Sequence, residues 1–125
     1  MKLEFLAVGS PDCPLIRLFD FDQAEAQNLR ELAGSLANGS SESVAVNDEP
    51  WIVSIRDCRL TFRLGTGYQG VRQSGPSTFD CVLSATNWSN VEGLLHPFCE
   101  SDDAGFQWLS REGRISLLFS TDGHW

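Results

Sequence analysis

Positive charge is scarce in this chain. One lysine (Lys2) and eight arginines stand against seventeen acidic residues, so the formal net charge is -8. A free-standing nucleic-acid binder carries a basic excess, and that partner class is excluded. Long apolar runs are missing as well. The opening stretch MKLEFLAVGSPDCP is broken at Glu4 and is too short for a signal peptide. No run approaches the ~18 apolar residues that cross a bilayer, so the expectation is a soluble cytoplasmic protein with no membrane partner. The four cysteines, Cys13, Cys58, Cys81 and Cys99, contain no C-x-x-C pair, and free thiols are expected in that compartment. No P-loop, serine-nucleophile elbow, paired-histidine metal motif or kinase motif occurs, nor does any repeat.

What the chain has is an ordinary globular composition: 42% hydrophobic and 21% charged over 125 residues. That is enough for one domain, residues 1–125, with a real core. Residues 2–8 and 15–20 read as strands. Asp22-Gln23-Ala24-Glu25 is a capping box, followed by Ala26, Leu29, Leu32, Ala33 and Leu36 on one helical stripe. Asn38-Gly39 ends that helix. A short strand is expected at 44–47.

Residues 51–64 read as a hairpin turning at Asp57-Cys58. That register segregates Trp51, Val53, Ile55, Leu60, Phe62 and Leu64 from Ile52, Ser54, Arg56, Arg59, Thr61 and Arg63. Residues 65–77 then form a glycine-rich loop, and 78–85 form a strand with Phe79, Cys81, Leu83 and Ala85 on one face. A second capping box at Ser89-Asn90-Val91-Glu92 predicts a short helix stopped by Pro97 near Leu95 or His96. Glu100 to Gly105 read as an acidic loop. The final hairpin turns at Glu112-Gly113, pairing Trp108 with Leu117 and Phe106 with Phe119. The expected fold class is α+β: a single, mostly antiparallel sheet with one long and one short helix packed on it.

Five features carry chemistry. Gly65-Thr66-Gly67-Tyr68-Gln69-Gly70 has the G-x-G-x-x-G spacing of a dinucleotide loop. Such a loop must open a helix, whose N-terminus binds the pyrophosphate. The residues that follow, VRQSGPS, have no helical period, so the glycines are read as a loop between strands. Arg56, Arg59 and Arg63 share the polar hairpin face, with Arg72 in the next loop, so four of nine basic residues lie close together. In that register Arg56 faces Arg59, which favours an intervening anion or carboxylate. Asp57 or the helix acids Glu25 and Glu31 could neutralise them. His96-x-x-Cys99 supplies two weak zinc-ligand candidates, whereas a structural site needs four. Trp125 either closes the core or marks a contact surface. Glu100, Asp102 and Asp103 cluster without the EF-hand pattern and read as solvated.

No cofactor or metal is implied. The expected function is a non-enzymatic binding module that meets a protein partner, immunity-like in size and charge, neutralising a basic partner. The alternative is a small enzyme or ligand-binding domain with an anion site near the 65–77 loop. Arg56, Arg59, Arg63, Tyr68, Arg72 and Trp125 are the candidate binding residues.

Overall fold

Asp22 caps the first helix as its sequence pattern predicts. In the computed structural model, which describes residues 1–102 and 105–125, the Asp22 carboxylate accepts from the Glu25 amide at 2.8 Å. The Glu25 carboxylate accepts in return from the Asp22 amide at 3.2 Å. Helix α1 spans Gln23–Ala37 and buries Ala26, Leu29, Ala33 and Leu36, the predicted stripe less Leu32, which is half-buried.

The second helix, α2, is longer than predicted: it spans Ala85–Glu100. Ser84 caps it, accepting from the Asn87 amide at 3.2 Å, and Ser89 lies inside it. Its buried stripe is Trp88, Val91, Leu95 and Phe98. That stripe starts before Ser89 and continues past Pro97, and burying it outweighs the single backbone bond that Pro97 removes.

Nine strands are described: β1 Lys2–Leu6, β2 Leu15–Phe19, β3 Ser43–Ala45, β4 Val53–Ser54, β5 Arg59–Leu64, β6 Gly70–Gly75, β7 Thr78–Leu83, β8 Phe106–Ser110 and β9 Ser116–Ser120. They form two sheets, ordered β4-β1-β2-β9-β8 and β3-β5-β7-β6. The α+β class holds, but the single, mostly antiparallel sheet does not. β4 runs parallel to β1, β9 to β2 and β5 to β7.

The 51–64 hairpin does not form. Its first arm reaches the first sheet as β4, where Val53 is largely exposed and Ile52 is the buried residue. Its second arm becomes β5 in the second sheet. Here β5 pairs on both sides, with β3 and β7, and buries Leu60 and Phe62 fully. A two-stranded hairpin offers only one paired edge, and Asp57-Cys58 is a poor turn pair. The supposed loop 65–77 is also shorter than read. Residues 70–75 pair antiparallel with β7, leaving 65–69 as the connection. In the last hairpin Trp108 faces Leu118 and Phe106 faces Ser120, one residue away from the predicted register, with a bulge between Trp108 and Ser110.

One hydrophobic core joins the inner faces of both sheets to the two helices, which pack on each other. Phe62 meets Trp88 with ring centroids 4.7 Å apart, and Phe5 on β1 meets Phe79 on β7 at 4.6 Å. The opposite face of the first sheet is not open. Arg17 reaches Glu4 at 2.5 Å and donates to the Gly123 carbonyl at 2.8 Å, drawing residues 121–125 across it. Strand β9 is therefore buried on both sides. Among the described residues no helix is long and apolar enough to cross a membrane.

Trp88 is fully buried, and its indole N–H donates to the Arg63 carbonyl at 2.9 Å. Trp88→Phe keeps a ring in the core but removes the indole donor. We expect a loss of about 0.5–1.5 kcal/mol in urea denaturation; an unchanged midpoint would show that the bond contributes nothing.

Candidate binding surfaces

The alternation expected along β5 is present. Leu60 and Phe62 point into the core, while Arg59 and Arg63 are exposed on the outer face. β6 adds Arg72 and β7 adds Asp80, because Asp80 lies opposite Thr61 on one side and Arg72 on the other. The carboxylate of Asp80 binds Arg63 Nε at 2.9 Å and approaches Arg72 Nε at 3.7 Å. The neutralising acid is thus Asp80, not Asp57, Glu25 or Glu31. The alternating pattern of 78–85 held that signal, since it put Asp80 opposite the face carrying Phe79 and Cys81.

Arg56 does not face Arg59. It adopts the left-handed conformation, φ 53° and ψ 43°, in the segment that leaves the first sheet. Its guanidinium reaches back to Glu4 at 3.3 Å. Arg59 forms no ion pair with any described residue and borders a polar cleft of about 540 Å³ with Asp48 and Asp57.

The glycine-rich connection is fixed by close approach to the loop before β9. Gly70 has φ 115°, and a Cβ there would collide with the Glu112 carbonyl. A Cβ on Gly113 would meet the Tyr68 hydroxyl, and that hydroxyl donates to the Val71 carbonyl at 2.9 Å. Gln69 ties the same segment to α2, accepting from the Ser84 amide at 2.8 Å. These contacts wall a groove of about 510 Å³ between the edge of β6 and the 114–115 segment. Tyr68 supplies its exposed apolar surface, with Val71 and Ile115 buried beneath, and Arg72 and Arg114 supply its charge. Arg114 is not legible as part of the arginine group because it is distant from Arg72 in sequence. The Val71–Ile115 bridge brings it beside β6.

Trp125 shares no cleft with Arg56, Arg59, Arg63 or Arg72. Its indole N–H donates to Asp12 at 2.9 Å, and its ring meets Trp108 edge-on at 6.5 Å. Arg111 lies 4.1 Å over the Trp108 ring and pairs with Asp12 at 3.0 Å. Phe106 is 46% exposed and Trp125 37%, so aromatic surface remains open there. With Ser10, Asp12, Trp108 and His124 they line a shallow cleft of about 590 Å³.

His96 and Cys99 lie one turn apart on α2. His96 is 3.0 Å from Glu100, and the Cys99 thiol donates to the Leu95 carbonyl at 3.5 Å. Among the described residues no group of three metal-ligating side chains assembles. Asp103, part of the acidic group read from sequence, lies outside the described residues.

The thiols differ in environment. Burial pushes Cys81 up to about 12. Burial, with the Glu4 charge adding, pushes Cys58 up to about 11. Both sit above the ordinary 9.0 and are uncharged at neutral pH, unsuited to nucleophilic work. Burial also raises Cys99, despite the opposing charge of Arg30.

Comparison with family models, with curated proteins and with solved structures finds no match to this chain.

Two outcomes follow from these titrations. A raised thiol stabilises the fold below its unfolded value and loses that contribution as pH rises. Between pH 9.0 and about 12, stability by urea denaturation should therefore fall, and Cys81→Ala should flatten the decline. Equal slopes in the two proteins would refute the burial argument. At Asp12 the sign is opposite. The Trp125 indole bond, then Arg111, hold its carboxyl below 3.8. The contact therefore persists above that value and is lost on acidification below it. The fluorescence of Trp125, isolated by a Trp125→Phe difference, should change with a midpoint under 3.8; a midpoint above it would contradict the bond.

Proposed function

We propose that this protein is a non-enzymatic binding module that holds a protein partner against the outer edge of its first sheet. The observation that carries this reading is the aromatic ledge of Phe106, Trp108 and Trp125. Large exposed aromatics grouped on one edge are a feature of contact surfaces, where they supply area at low entropic cost. The ledge is held by the Asp12, Arg111 and Trp125 contacts before any partner arrives, which lowers the ordering cost of association.

The partner that suits this surface is basic. The net charge of -8 steers a cationic protein toward the module and repels an acidic one. An immunity-like role, in which a small acidic domain covers a basic partner, is the form of the reading that size and charge support.

The test is capture from the native host with immobilised protein, comparing wild type with a Phe106→Ser, Trp125→Ser double variant. A basic protein should be retained at about 0.1 M salt, released as screening increases, and retained at least tenfold less by the variant. If the variant retains the same proteins as wild type, the ledge is not the contact surface.

A further inference from the structure

The groove between the edge of β6 and the 114–115 segment carries more positive charge than the fold neutralises. Asp80 is committed to Arg63 at 2.9 Å and holds Arg72 only at 3.7 Å. Arg114 forms no ion pair with any described residue, and the residues lining the groove include no carboxylate. Two guanidiniums therefore border a concave space in a protein that is otherwise strongly acidic. Guanidinium groups are fitted to carboxylate and phosphate oxygens, which they bind through paired N–H donors.

We propose that this groove binds a small organic oxyanion. Its carboxylate or phosphate lies between Arg72 and Arg114, and its carbon body lies against the exposed ring of Tyr68. The volume of about 510 Å³ falls in the range of small-molecule sites. The walls are set in advance by the Tyr68 bond to Val71 and by the contacts of Gly70 and Gly113 described above, so little ordering is needed on binding. An added peptide strand suits the place less well. The β6–β7 ladder is broken by a bulge between Gln73 and Gly75, and such a bulge turns an edge away from further pairing. This site is separate from the aromatic ledge and does not rest on the partner-binding reading.

Phenyl phosphate, benzoate, inorganic phosphate and phenol are the probes, titrated into full-length protein and followed by amide and arginine Nε–H NMR shifts. Phenyl phosphate or benzoate should produce saturable shifts confined to residues 68–75 and 113–115, and the stronger of the two identifies the anion class. Inorganic phosphate should bind more weakly than phenyl phosphate, and phenol should not compete. Arg114→Gln should weaken binding at least about tenfold, while Arg59→Gln, on the same protein but outside the groove, should leave it unchanged. Shifts centred on Arg59 and Arg63, shifts that never saturate, or equal binding by Arg114→Gln would each overturn the proposal. An unchanged amide spectrum of Arg114→Gln away from the groove verifies that lost binding is not lost folding.

Discussion

The whole arrangement depends on how the chain passes from one sheet to the other between Val53 and Arg59. Two successive residues, Arg56 and Asp57, adopt the left-handed conformation, which costs about 1 kcal/mol or more each for side-chain-bearing residues. The surroundings hold them there. Glu4 receives the Arg56 guanidinium, and Cys58 is buried immediately afterwards. The return is that β5 enters the second sheet between β3 and β7 and inserts Leu60 and Phe62 into the core. A regular hairpin would have kept β5 against its own first arm, with Phe62 away from Trp88. The second tie between the sheets, the Val71–Ile115 bridge, lies in the groove wall and brings Arg114 to β6.

Local chemistry made much of this legible in sequence. The capping box at Asp22 and the stripe from Ala26 to Leu36 specify α1, because each depends on residues three or four apart. The alternation of β5 and β7 likewise assigns Leu60, Phe62, Phe79 and Cys81 to the core and Arg59, Arg63 and Asp80 to the surface. What stayed hidden is pairing between distant segments. Nothing in LIRLF says that it lies parallel to SLLFS a hundred residues later. That pairing places β9 in the interior of the first sheet, between β2 and β8. The same limit explains the site. Arg63 and Arg72 are near in sequence and were legible as a group, whereas Asp80 and Arg114 join them only through cross-strand contacts.

The distribution of the arginines is informative against the net charge. In so acidic a chain, each arginine could readily find a carboxylate. Arg17 does so within the covered face of the first sheet, and Arg111 does so at Asp12. Both partners there are fixed by further contacts, Gly123 for Arg17 and the Trp108 ring for Arg111. Arg72 and Arg114 lack that saturation. Sharing one carboxylate between Arg63 and Arg72 leaves the second guanidinium with donors to spare, and exposed pairs of this kind contribute little to stability. Their placement is what the proposed oxyanion site draws on.

Sheet edges complete the picture. Each sheet has one very short edge strand, β4 with two residues and β3 with three, and short edges offer little backbone to another chain. The long edges, β6 and β8, each carry a bulge, between Gln73 and Gly75 and between Trp108 and Ser110. Bulges interrupt the regular row of amides and carbonyls on which strand addition depends. What the two long edges present is then chiefly side chains: guanidiniums and Tyr68 along β6, aromatic rings along β8. Recognition by this protein should accordingly be read from side-chain chemistry, charged at one edge and apolar at the other, with the 111–115 loop supplying Arg111 to the aromatic ledge and Arg114 to the groove.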